Sequence, residues 1–176
     1  NMEYLNLTNL VLWIHILFVV VWLGSDFVVF SLSMSLKNRD LPIDVRLDRA
    51  KLAQKFDMWV TKVFLATPLI GLSLAWLRWR SFEPLITLPW MNLKLILFSV
   101  ILIMAILLIT GAAGTVGVLQ DIKDGEGDEE ENEAILKKRV KDLAYPAITL
   151  HILLSLIIII ALVGSRMGTD MIEGGW

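Results

Sequence analysis

Four long, nearly uninterrupted apolar stretches set what this chain can become. They run over residues 7–36, 56–79, 90–118 and 145–165. Each exceeds the roughly 18 residues at which an apolar run becomes a candidate membrane helix, and each is too long for a buried strand. In lipid, backbone N–H and C=O groups must be satisfied inside the protein, and a helix does this within one segment. The expected fold is therefore all-α, an integral membrane four-transmembrane-helix bundle. At about 20 residues per crossing, the spans leave too little chain for a separate soluble domain, so residues 1–176 read as a single membrane domain. The first stretch has no basic region ahead of it and is about twice the length of a signal-peptide core. It is expected to stay in the mature protein.

Charge placement gives an orientation. Lys37, Arg39, Arg46, Arg49, Lys51 and Lys55 lie in the connection 37–55, and Lys123, Lys137, Lys138, Arg139 and Lys141 in the connection 119–144. Only Arg78 and Arg80 lie between the second and third stretches. By the positive-inside rule the two basic connections are expected in the cytoplasm and both termini outside. The membrane this implies is the cytoplasmic (inner) membrane of a prokaryote. A net charge of −2 offers no basic surface for nucleic acid. The absence of cysteine excludes disulfides, thiolate metal sites, iron–sulfur clusters and cysteine nucleophiles.

The connections carry their own patterns. Residues 44–55 read as a short amphipathic helix, lying against the membrane or extending the second span. Residues 121–133 hold eight acidic side chains against one lysine. They read first as a solvated flexible loop and alternatively as a contact surface for other membrane subunits. Trp76, Trp79, Phe82 and Trp90 read as an interfacial aromatic belt. Gly71 with Ala75, Thr110 with Gly114 and Ala113 with Gly117 fit small-xxx-small helix contacts.

Ionisable residues at membrane depth are costly and are functional candidates by default. Five qualify: His15, Asp26, Lys62, Lys94 and His151. The topology sorts them into an outer layer of His15 and Lys94, with Arg78 close above, and an inner layer of Asp26, Lys62 and His151. His15, Val19, Trp22 and Asp26 recur at spacings of four, three and four, which places them on one helical stripe facing the interior. Structural explanations stand beside functional ones. Lys62 and Lys94 lie near enough to helix ends to snorkel. Asp26 is most economically paired with Lys62, and each histidine can be a hydrogen-bonded bundle residue. The chemical alternative is haem iron ligation by His15 and His151, with Lys94 and Arg78 on the propionates. Helix rise puts the two histidines on the order of 10 Å apart in depth. Two sites, a single ligand, or shifted helix boundaries would each account for that offset.

The segment His15-x6-Trp22-x-Gly24 resembles the opening helix of CopD-like and HemJ-like membrane proteins. Thr67-Pro68-x-x-Gly71 and Trp90-Met91-Asn92-Leu93-Lys94-Leu95 continue the likeness over roughly residues 10–105. The resemblance implies a four-helix membrane bundle binding b-type haem, with His15 as the haem-side histidine and Lys94 as its polar partner. A further histidine of the third helix and a Pro-Arg element typical of HemJ-like proteins have no counterpart here.

The functional expectation is a membrane protein binding haem b for electron transfer or quinone-linked redox. Two alternatives accompany it: a non-catalytic accessory subunit of a larger membrane complex, and a copper or proton transporter using Asp26, Lys62 and His151. Whether the chain is an enzyme is left open by the sequence.

Overall fold

The computed structural model describes residues 2–112 and 114–173, and the side chains of 7–108 and 114–164. Six helices follow in order: α1 (Met2–Ser35), α2 (Ile43–Trp79), α3 (Pro84–Thr87), α4 (Pro89–Ala112), α5 (Thr115–Asp124) and α6 (Glu129–Glu173). Among the described residues there is no strand. Four of the helices, α1, α2, α4 and α6, are long and apolar enough to cross a membrane. The chain is thus an all-helical membrane protein with four candidate spans.

Helix limits follow local chemistry. Asn38 accepts the Asp40 amide through its side chain at 3.0 Å, turning the chain after α1, and Pro42 stands immediately before α2. Arg80 closes α2 in the left-handed region (φ 54°), its N–H bonded to the Trp76 carbonyl. Pro84 and Pro89 open α3 and α4, where a missing N–H costs nothing. Gly114 has φ 88°, a conformation strained for any residue with a Cβ. It divides what the sequence presents as one stretch over 90–118 into α4 and α5. Of the small-residue pairs proposed there, Ala113 and the Thr110 side chain lie outside the described residues.

The connections are more ordered than the sequence predicts. α2 begins at Ile43 instead of 56, so 44–55 extends the span and does not lie separately against the membrane. The expected loop 119–144 consists mainly of the end of α5 and the first turns of α6. Asp128 caps α6 by accepting the Glu130 amide at 2.9 Å, and Glu129, Glu130 and Glu131 suit the positive end of the helix dipole.

These extensions pack together at one end of the bundle. Leu36, Leu47, Ala50, Val118, Leu119, Leu136 and Val140 form a buried cluster there. At its edge the Arg46 guanidinium, only 3% exposed, donates to both Glu133 carboxylate oxygens, one at 2.9 Å, and from Nε to the Leu36 carbonyl at 2.7 Å. Arg39 forks onto Glu130 at 3.0 and 3.2 Å, and Lys123 meets Asp44 at 2.7 Å. The Lys123 ammonium is held above the ordinary lysine range, first by that hydrogen bond to Asp44. The acidic run 121–133 is therefore largely helical and tied to the first connection, not a free loop.

Inside the spans the packing is apolar and aromatic. Trp22 lies 4.8 Å from Phe64 between ring centroids, and Phe64 stacks on Phe98 at 5.3 Å. Val60, Val63, Ile101, Leu150 and Leu154 complete this core. Trp13, Leu17, Val20 and Phe27 stand exposed on the opposite side of α1, the distribution expected of a lipid-facing surface.

Candidate functional site

The interior stripe of α1 positions the polar groups. His15 and Asp26 are partly buried and Trp22 is buried, whereas Trp13 and Leu17 are outside. His15 presses its imidazole edge against α2. A Cβ added to Gly71 would stand 3.2 Å from His15 Cε1 and under 4 Å from both ring nitrogens. Gly71 therefore makes room for the ring. Lys94 of α4 acts on the same imidazole electrostatically, and the Thr67 backbone lies beside it. His15 and Lys94 thus stand within electrostatic reach of each other. Arg78 does not join them: it is exposed and stacks over the Trp79 ring at 5.6 Å. Seven residues beyond Gly71, it stands about 10 Å further along α2.

The second group forms where Asp26 meets α6. Asp26 Oδ2 and His151 Nε2 are 3.2 Å apart, with each side chain 21% exposed. On its other side, His151 Nδ1 lies 2.7 Å from the Ala147 carbonyl. A carbonyl only accepts, so Nδ1 carries a hydrogen and donates it. Nε2 then either accepts a proton from Asp26 or holds one opposite its carboxylate. The two atoms are close but off the hydrogen-bond direction, and both are buried without an aligned partner.

Lys62, expected as the partner of Asp26, is exposed on the outside of α2. The inward positions of that helix are Ala53, Val60, Val63, Phe64, Thr67 and Ala75, and Lys62 falls off their face. Asp57 belongs to it instead, with spacings of four from Ala53 and three to Val60. It lies within electrostatic reach of Asp26. Sequence reasoning missed Asp57, which stands second in the span drawn over 56–79. The spacing 53-57-60-64-67 carried the signal.

Asp26, Asp57 and His151 line one cavity of about 560 Å3. Ser33 of α1 and Gln54 of α2 add polar groups toward the charged end, while Val29, Met34, Leu108, Leu143 and Ala147 make much of the wall apolar. This size and lining, apolar with a few convergent polar groups, is that of a small-molecule site.

The same geometry tests the haem expectation. His15 and Asp26 are eleven residues apart on α1, about 16 Å by helix rise. His151 touches Asp26, so the two histidines stand too far apart to ligate one iron. His15 sets its Cε1 edge against Gly71 and has a buried Nδ1 with no hydrogen-bond partner, and His151 turns Nε2 toward Asp26. In this arrangement the two histidines do not fit one haem between them. Among the described residues, no group of three or more His, Cys, Asp or Glu side chains is placed to hold a metal ion.

Comparison with family models, curated proteins and solved structures finds no match for this chain. The likeness to CopD-like and HemJ-like proteins rests on the motifs alone. Of these, His15 and Gly71 are in contact, with Thr67 and Lys94 within electrostatic reach of the imidazole.

Proposed function

We propose that the chain is an integral membrane protein that binds a lipid-soluble redox carrier of the quinone class in this cavity. In this reading it exchanges protons with the carrier through Asp26 and His151. One observation carries the proposal: Asp26 and His151, in contact at 3.2 Å without an aligned hydrogen bond, both belong to the lining of a largely apolar cavity large enough for a ring-sized ligand. A carbonyl or hydroxyl oxygen of the ligand satisfies the atoms that the protein leaves unpaired. An unpaired buried polar group costs about 1–3 kcal/mol, so such a ligand is favoured over an apolar one.

Reduction of the carrier adds two electrons from a membrane redox partner of the haem or flavin class and one proton at each oxygen. The Asp26–His151 pair holds one proton at a time and is refilled between the two transfers. Asp57, Gln54 and Ser33, on the charged side of the cavity, are placed to refill it. The bias of lysine and arginine supports a cytoplasmic position for that end, in an inner membrane of the prokaryotic type on this reading. Protons are then drawn from that side.

Equilibrium titration of the purified protein with a tailless quinone tests the reading. Wild type is expected to saturate. His151→Leu removes one hydrogen bond to the ligand and is expected to weaken binding about tenfold. Equal affinity in both proteins would overturn the proposal, and a haem absorption band in the purified protein would return the argument to His15 and His151 as ligands. Asp57 beside Asp26 favours a second reading, proton conduction without a carrier. It requires proton flux in liposomes free of quinone, lost in Asp57→Asn.

A further inference from the structure

The cavity has a neighbour on the lipid side. A groove of about 480 Å3 runs between α1 and α6, and Phe30 and His151 line both spaces. The rest of the groove is almost wholly apolar: Phe27, Ile152, Leu156 and Ile159 form its walls. Its one hydroxyl, on Ser155, is already committed to the His151 carbonyl at 2.9 Å. On α6 the groove extends from Ile148 to Ile159, about 16 Å by helix rise. Apart from His151, which both spaces share, the groove holds no free polar side chain, and Phe30 and His151 stand between the two spaces.

From this juxtaposition we infer that the groove is the subsite for the hydrocarbon tail of the carrier whose ring occupies the cavity. Phe30 and His151 form the threshold over which the ring enters from the bilayer. The inference rests on the functional reading above and adds to it the ligand's second half and its route. A ligand with a polar ring and a long apolar tail matches a polar-lined cavity joined to an apolar groove. A wholly water-soluble ligand matches only the first. Phe27 and Phe30 approach the His151 ring edge-on, with centroids at 6.4 and 6.0 Å, so rotation of Phe30 is the movement that opens the passage. The histidine that exchanges the proton is then also a wall of the entrance, and it meets the ring as the ring arrives.

The test compares two quinones, one tailless and one with a long isoprenoid tail, on protein held in lipid nanodiscs. Ile152 is 62% exposed and Leu156 41%, so Ile152→Trp and Leu156→Trp fill the groove without disturbing the core. The expected result is a loss of tenfold or more in affinity for the tailed compound, with the tailless one unchanged. A tailed quinone carrying a photoreactive group at mid-tail is expected to label the segment 148–159. Unchanged binding of the tailed compound to both tryptophan variants, or labelling elsewhere, would overturn the tail subsite and leave the functional reading standing. An equal loss for both compounds would also overturn it, since the groove would then be acting on the cavity itself. If neither quinone binds wild type, the functional reading fails and the subsite fails with it.

Discussion

The charged end of the bundle and the cavity beside it treat polar groups in opposite ways. At the charged end, Arg46 is buried but its guanidinium reaches both Glu133 oxygens and the Leu36 carbonyl. Arg39 and Lys123 likewise find Glu130 and Asp44. In the cavity, Asp26 Oδ2 and His151 Nε2 are buried without an aligned partner. Arg46 and Glu133 are complete in themselves, which is what a structural ion pair looks like. Asp26 and His151 need a third party. The difference separates residues that hold the helices together from residues available to a ligand, and substitutions in the two regions should fail in different ways.

The largest effect is expected at Glu133→Ala. It strands the Arg46 charge in a buried setting, at a cost of about 3–5 kcal/mol, read as a fall in the melting temperature of the purified protein. Ring binding in the cavity should be little changed at temperatures where the variant stays folded. Gly71→Leu comes next. The new side chain takes the place of the His15 imidazole, and overpacking at such a contact costs about 1–3 kcal/mol, with the same melting experiment as the check. Asp26→Asn should show the reverse pattern. The isosteric amide leaves packing intact and the melting temperature nearly unchanged, while quinone affinity falls about tenfold through one lost charged hydrogen bond. A large loss of stability in Asp26→Asn would erase the contrast between the regions.

The smallest effect is expected at Lys123→Ala, an exposed pair with no resolvable change in melting temperature. Its sign with pH is nonetheless defined. The Lys123 pKa is raised by Asp44, so whatever the pair contributes is fully present below the ordinary lysine value and lost as pH climbs through the raised one. Between pH 6 and 9, roughly, the difference from wild type should stay flat, given an ordinary lysine pKa near 10.4. A difference that grows across that window would contradict the assignment.

Much of the membrane part was legible because its signals are local. Apolar length marked the four spans, and the spacing of His15, Val19, Trp22 and Asp26 marked the inward stripe of α1. Depth reasoning also put His151 in the same layer as Asp26. It chose Lys62 where the structure has His151 as the partner, because layer is a matter of height and pairing is a matter of helix face. Lys62 shares the height but lies off the inward face of α2, while Asp57 has the right face and was passed over at the start of the span drawn over 56–79. The charged end was least legible. Arg46 and Glu133 are separated by 87 positions, and no local pattern announces a contact of that range. The acidic run read as a solvated loop because composition records charge and not the partner that neutralises it. Gly114 was visible only as a small residue, whereas its positive φ is what separates α4 from α5.

The central claim is that a ligand oxygen completes the Asp26–His151 proton site. Infrared difference spectroscopy of wild type, with and without a tailless quinone, observes that event at the carboxyl group itself. A shift or loss of a carboxyl or carboxylate band is expected on binding, absent in Asp26→Asn and retained in Asp57→Asn. Saturable binding with no carboxyl change, or a change that survives Asp26→Asn, would contradict it.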